Sequence, residues 1–140
     1  MTSEKARPAR VRGRERPHPI TLLIVDHEPA VLRLLRYLLV SAGYSVIEAR
    51  TDEEAIARME ASLLPIDLLL VDVELPSSDH EALIRHARGR TPAMRILYMS
   101  SLSEEELGRA GHEGAAVVQK PLGAGSLVRR IREFLDDPWR

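Results

Sequence analysis

Five short apolar runs, each followed by a stretch with helical spacing, constrain this chain more than any other feature. The runs are ITLLIV (20–25), YSVIEA (44–49), IDLLLVD (66–72), MRILYMS (94–100) and AAVVQ (115–119). Continuous apolar and β-branched content of this length marks strands buried on both faces. Pro29 opens the first helix, which carries Val31, Leu34, Leu35, Leu38 and Leu39 along one side until Gly43 ends it. Thr51 with Glu54 and Ser103 with Glu106 form capping-box patterns for the second and fourth helices. A short third helix is predicted over 79–88, Gly111 or Gly114 closes the fourth, and Leu127, Val128, Ile131, Phe134 and Leu135 line the last. Strand and helix in alternation demand a parallel sheet covered on both faces, because each crossover must be right-handed. The predicted fold class is α/β: a doubly wound (βα)5 domain on a five-stranded parallel sheet.

A chain of 140 residues fits one domain with a real core. The predicted folded unit is 20–137, followed by a tail at 138–140. Without cysteine, disulfides and thiolate metal sites are excluded. The apolar runs are too short to cross a bilayer and the basic N-terminus leads into no apolar signal core, so a cytoplasmic protein without membrane insertion is expected. The net charge of −1 hides two unlike parts. Residues 1–19 hold six basic side chains against two acidic ones, a net +4, and the remainder holds fourteen against nineteen, a net −5. With Pro8, Pro17, Pro19 and Gly13 and few apolar residues, the first segment is predicted to be a disordered basic arm. Any contact with nucleic acid is expected through this arm.

Parallel strands all point the same way, so the residues that end them gather on one edge. That edge holds Asp26, Asp72, Ser100 and Lys120. With strand order 2-1-3-4-5, strands one and three are neighbours and the two aspartates stand about 5 Å apart. Carboxylates so close repel, and one must take a proton or both must share a cation, for which Mg²⁺ with its oxygen ligands is the natural choice. Lys120 lies about 10 Å from Asp72 by strand spacing, within reach of its long stem, and Ser100 is on the strand between them. Such a set describes a phosphoryl acceptor: a carboxylate attacks phosphorus while a metal and an ammonium neutralise the other oxygens and a hydroxyl donates to them. Neither a Gly-rich phosphate cradle nor a Ser/His/Asp triad is present.

Over Ile20 to about Asp136 the chain resembles the receiver domain of bacterial two-component response regulators. LIVDHEP is similar to that family's first-strand acidic motif, LLLVDVELP to its phosphoacceptor motif, YMSS to its fourth-strand Thr/Ser motif and VVQKP to its Lys-Pro motif. The resemblance implies a flavodoxin-like receiver fold, with Asp72 phosphorylated by a sensor histidine kinase or a histidine phosphotransfer protein. It also implies Asp26, Asp72 and the Glu74 backbone carbonyl as ligands of Mg²⁺, Ser100 as the switch hydroxyl and Lys120 as the phosphoryl contact. A downstream partner protein would bind the face made by the fourth helix, fifth strand and fifth helix. As a signalling domain it would catalyse at most its own phosphorylation and dephosphorylation.

Several residues depart from the pattern. His27 stands where the family usually has a second acidic metal ligand; imidazole suits Mn²⁺ better than Mg²⁺ and is expected to weaken magnesium binding. A ring turned out to solvent is the plain expectation for it. Glu28 could reach an ion through water, although a helix starting at Pro29 directs it outward. His80 stands where the family often has Gly, at backbone angles His dislikes. Val117 replaces an aromatic that rotates in many relatives, so a signal should pass through backbone and helix shifts. These departures keep a second reading open, a pseudo-receiver interaction module with weak or no phosphorylation. A flavin carrier on a related fold would need a Ser/Thr-rich phosphate loop after the first strand, where this chain has the acidic DHEP.

Overall fold

In the computed structural model, which describes residues 19–74, 80–109, 116–120 and 123–136, each predicted run becomes a strand and each amphipathic stretch a helix. The elements are β1 (Thr21–Val25), α1 (Pro29–Ser41), β2 (Ser45–Ala49), α2 (Asp52–Ala61), β3 (Leu68–Asp72), α3 (Glu81–Arg90), β4 (Arg95–Ser100), α4 (Glu104–Arg109), β5 (Val117–Gln119) and α5 (Ala124–Asp136). The predicted arm up to residue 18, the helix stops at Gly111 and Gly114, Pro76 and Pro121 of the quoted motifs, and the 138–140 tail lie outside the described residues.

Strand order is β2-β1-β3-β4-β5 and every pairing is parallel, which is the 2-1-3-4-5 arrangement. Side chains alternate across the sheet, so each strand feeds two cores. On one face Leu22, Ile24, Leu68, Leu70 and Leu97 pack under α1 (Leu32, Leu35, Leu39) and α5 (Leu127, Ile131, Phe134). On the other, Leu23, Val25, Leu69 and Val71 pack under α2 (Ala55, Met59) and α3 (Leu83, Ala87). Helices on both faces explain why the inner strands read as unbroken apolar runs. Every run begins one or two residues before its strand, and in two of them the leading residues, Ile66 and Met94, are buried in the second core although they precede β3 and β4, so burial rather than ladder pairing makes them apolar.

Local signals act where the sequence puts them. Gly43 takes φ +102°, a left-handed conformation open to glycine, as its N–H donates to Val40 O and the chain leaves α1 for β2. Thr51 Oγ1 accepts from the Glu54 N–H at 3.0 Å, while the Glu54 carboxylate turns back to the Arg50 N–H at 2.6 Å. Ser103 and Glu106 complete a reciprocal capping box, each side chain accepting from the other's N–H. The third helix starts at Glu81, two residues later than its pattern predicts. No helix among the described residues is long and apolar enough to cross a membrane.

Register places the polar edge. Val25 pairs with Val71 on the neighbouring strand, so the next residues, Asp26 and Asp72, come out side by side. Asp72 pairs with Met99, and Ser100 pairs with Gln119, which brings Ser100 and Lys120 to the same end of the sheet.

Candidate functional site

Asp26 and Asp72 are both fully buried. Each turns one oxygen back on its own loop: Asp26 Oδ1 accepts from the Glu28 N–H at 2.9 Å, and Asp72 Oδ1 accepts from the Glu74 N–H at 2.9 Å. The other oxygens, Asp26 Oδ2 and Asp72 Oδ2, are buried without a hydrogen-bond partner. Burial is the largest influence on Asp26 and pushes its carboxyl above the ordinary carboxylate range. The Glu28 N–H opposes that push, the negative charge of Asp72 adds to it, and Lys120 draws it back.

Lys120 crosses β4 as its stem length allows, and its Nζ lies 3.1 Å from Asp72 Oδ1 and 3.5 Å from Glu74 Oε1. Burial alone would lower the Lys120 ammonium's pKa; the bond and charge of Asp72, with Asp26 and Glu74, outweigh it and raise it. Glu74 in turn accepts from the Ser101 hydroxyl and from the Ser101 N–H at 2.9 Å, and these two bonds hold its carboxyl below the usual range, with Lys120 adding to the effect. Ser100 is buried at the same edge, and its Oγ accepts from the Leu102 N–H at 2.9 Å. The loops after β3 and β4 are thereby tied together through Glu74 and Ser101, a pairing that spacing along the chain does not reveal.

His27 differs from its expectation. Its side chain keeps 41% of its exposure, yet Nδ1 faces inward, 3.6 Å from Asp72 Oδ2 and 3.8 Å from Asp26 Oδ1. Among the described residues, Asp26, His27 and Asp72 form a group that could hold a metal ion, one ligand atom from each lying within 4.8 Å of the others. Glu28 is exposed, in keeping with the outward direction expected of it, and contributes its backbone N–H.

A family model described as the response regulator receiver domain matches residues 22–132. The chain belongs to the response regulator receiver domain family. It is 34% identical over 116 residues to the KDP operon transcriptional regulatory protein KdpE of Escherichia coli K12, covering 81% of this chain and 50% of that protein. The chain thus spans half the length of that relative. Among solved structures, a CheY-like receiver domain protein from Methanospirillum hungatei JF-1 is 27% identical with a TM-score of 0.72, covering 87% of this chain and 98% of that one. The CheX-CheY-BeF3-Mg complex from Borrelia burgdorferi matches at 24% identity with a TM-score of 0.69, covering 82% of this chain and 88% of that one. Receiver domains are signalling domains that generally bind Mg²⁺ at an acidic pocket, and an aspartate cluster lies at this sheet edge.

One departure from the receiver pattern is resolved by a residue the sequence reading passed over. His80 does adopt the left-handed conformation that glycine favours, φ +66°. It is buried, and its Nδ1 lies 3.2 Å from both carboxylate oxygens of Asp52, the first residue of α2. Strain of about 1–3 kcal/mol at such a backbone is offset by this buried charge-assisted contact. The only sequence signal for Asp52 was its place after the Thr51 cap, where an acidic residue ordinarily faces solvent.

Two outcomes are expected. Folded Asp26 holds its proton more tightly than the unfolded chain does, so its contribution to stability is full below the ordinary carboxylate range and lost as pH rises through its raised pKa. Asp26→Asn, measured by urea unfolding with EDTA, should therefore be more stable than the native chain at neutral pH, with the gain shrinking in acid; equal or lower stability at neutral pH contradicts this. Asp52→Ala should lose about 1.5–3 kcal/mol when His80 is present and clearly less in a His80→Gly background. Equal losses in the two backgrounds would show that Asp52 and His80 are not coupled.

Proposed function

We propose that the domain takes a phosphoryl group on Asp72 from the phosphohistidine of a sensor kinase or a phosphotransfer protein. An oxygen of Asp72 attacks phosphorus, the P–N bond breaks, and its electron pair returns to the donor's imidazole. Oδ1 is the assigned nucleophile, since the Lys120 ammonium beside it can move onto the transferred oxygens as their charge grows. That 3.1 Å contact, reaching from the end of β5 over β4 onto a fully buried carboxylate, is the observation that carries the reading. Asp26, Asp72 and the Glu74 backbone carbonyl would hold a divalent cation, Mg²⁺ or Mn²⁺; the two partnerless carboxylate oxygens fit such an ion. When bound, the ion supplies charge neutralisation for the phosphoryl oxygens. The Borrelia receiver-fold relative was solved with BeF3 and Mg, which supports the same chemistry here.

The output is a shift of loops. A phosphoryl group on Asp72 draws Lys120 away from Glu74 and offers acceptor oxygens to the Ser100 hydroxyl, which would then release the Leu102 N–H. Leu102 is two residues from α4, so the change passes to the face formed by α4, β5 and α5. Val117 is buried there and packs without an aromatic rotation. A groove of about 420 Å³ beside β5 and α5, lined by Val117, Gln119, Gly123, Leu127, Arg130 and Glu133, is where a downstream partner protein would dock. The same reading takes residues 20–137 as the receiver unit in a cytoplasmic setting, with no nucleic-acid partner expected except through the basic residues 1–19. Beyond its own phosphorylation and dephosphorylation, it assigns the domain no enzymatic turnover.

Incubation with acetyl phosphate and either ion should add one acid-labile phosphoryl group, read by intact mass, and Asp72→Asn should abolish it. No adduct on the native chain with either ion, or an adduct that survives in Asp72→Asn, would overturn the proposal and leave a binding module.

A further inference from the structure

Three buried atoms at the end of β1 and β3 have no hydrogen-bond partner, Asp26 Oδ2, Asp72 Oδ2 and His27 Nδ1, and one ligand atom from each of these residues lies within 4.8 Å of the others. In both aspartates a backbone N–H two residues on holds Oδ1, which turns Oδ2 away from the loop. Lys120 is also on the Oδ1 side of Asp72, so the ammonium leaves Oδ2 to another cation. His27 Nδ1 lies 3.6 Å from Asp72 Oδ2 and 3.8 Å from Asp26 Oδ1. Those separations are too long for hydrogen bonds. They suit ligands of one ion, because metal–ligand distances of about 2.0–2.2 Å put adjacent ligands roughly 3 Å and opposite ligands roughly 4 Å apart.

We propose that His27 Nδ1 is itself a ligand, and that it makes this pocket select a divalent transition ion, Mn²⁺, over Mg²⁺. The inference rests on the reading that a cation sits between Asp26 and Asp72, and adds which ion that is. The reason is donor chemistry: Mg²⁺ takes oxygen and gives up its waters reluctantly, whereas transition ions accept imidazole nitrogen beside carboxylates. Mn²⁺ is the strictest probe of the idea, since it is the weakest binder of the first-row divalent series. The opposing possibility is an imidazolium serving as an internal counter-charge. It would repel an added ion and would weaken Mn²⁺ and Mg²⁺ alike.

The full chain should be titrated with Mn²⁺, following loss of the free-ion EPR signal, and then challenged with Mg²⁺. Mn²⁺ should bind roughly ten-fold or more tighter than Mg²⁺, and pulsed EPR of the bound ion should show coupling to a directly ligated imidazole ¹⁴N. His27→Asp and His27→Gln, at a partly exposed position where the fold should tolerate change, should lose that coupling and bring the two affinities together. Bound Mn²⁺ without ¹⁴N coupling in the native chain, or coupling and preference that persist in both variants, overturns the role of His27. The carboxylate site would survive that result. If neither ion binds saturably to the native chain, the inference falls together with the cation reading, while the acetyl phosphate experiment decides separately whether Asp72 accepts a phosphoryl group.

Discussion

Asp26 and Asp72 are held side by side without solvent at the end of β1 and β3, and two anionic groups so placed repel strongly enough that their neighbours must be organised around them. Parallel pairing in the 2-1-3-4-5 order makes the crowding unavoidable: Val25 opposite Val71 commits the following residue of each strand to the same spot. Lys120 answers from two strands away, two backbone N–H groups answer from the loops, and the polar edge of His27 turns inward. A site that keeps its charge imbalance in this way is prepared for a cation and for the transfer of a phosphoryl group to one of its members.

A second layer converts that local imbalance into something a partner can sense. Glu74 bridges Lys120 and Ser101, so under the proposed phosphorylation a displacement of the ammonium would also pull on the loop after β4. Ser100 adds a hydroxyl whose present role is to hold the Leu102 N–H. His80 and Asp52 fix the start of α3 against the start of α2.

The fold and most of the site were legible in the sequence for a geometric reason. A parallel doubly wound sheet sends every strand end to one edge, so locating the strands located Asp26, Asp72, Ser100 and Lys120 together. Side-chain direction was not legible in the same way. That His27 Nδ1 comes within 3.6 Å of Asp72, and that the Ser100 hydroxyl meets an amide two residues on, are facts of side-chain direction that strand placement does not fix. Contacts between loops were harder still. Asp52 and His80 are 28 residues apart, at the starts of different helices, and Asp52 carries the local signature of an ordinary helix-start acid. Strand starts were blurred at Ile66 and Met94, where core burial imitates strand composition.

The measurement that bears most directly on the crowding of the two aspartates is a ¹³C NMR titration of the Asp26 side-chain carboxyl, with and without a divalent cation. Without the ion, the midpoint should lie above the ordinary carboxylate range, as burial and the charge of Asp72 require, and it should fall when the ion is added. An ordinary midpoint that the ion leaves unchanged would contradict the account, because the two carboxylates would then not be competing for positive charge at all.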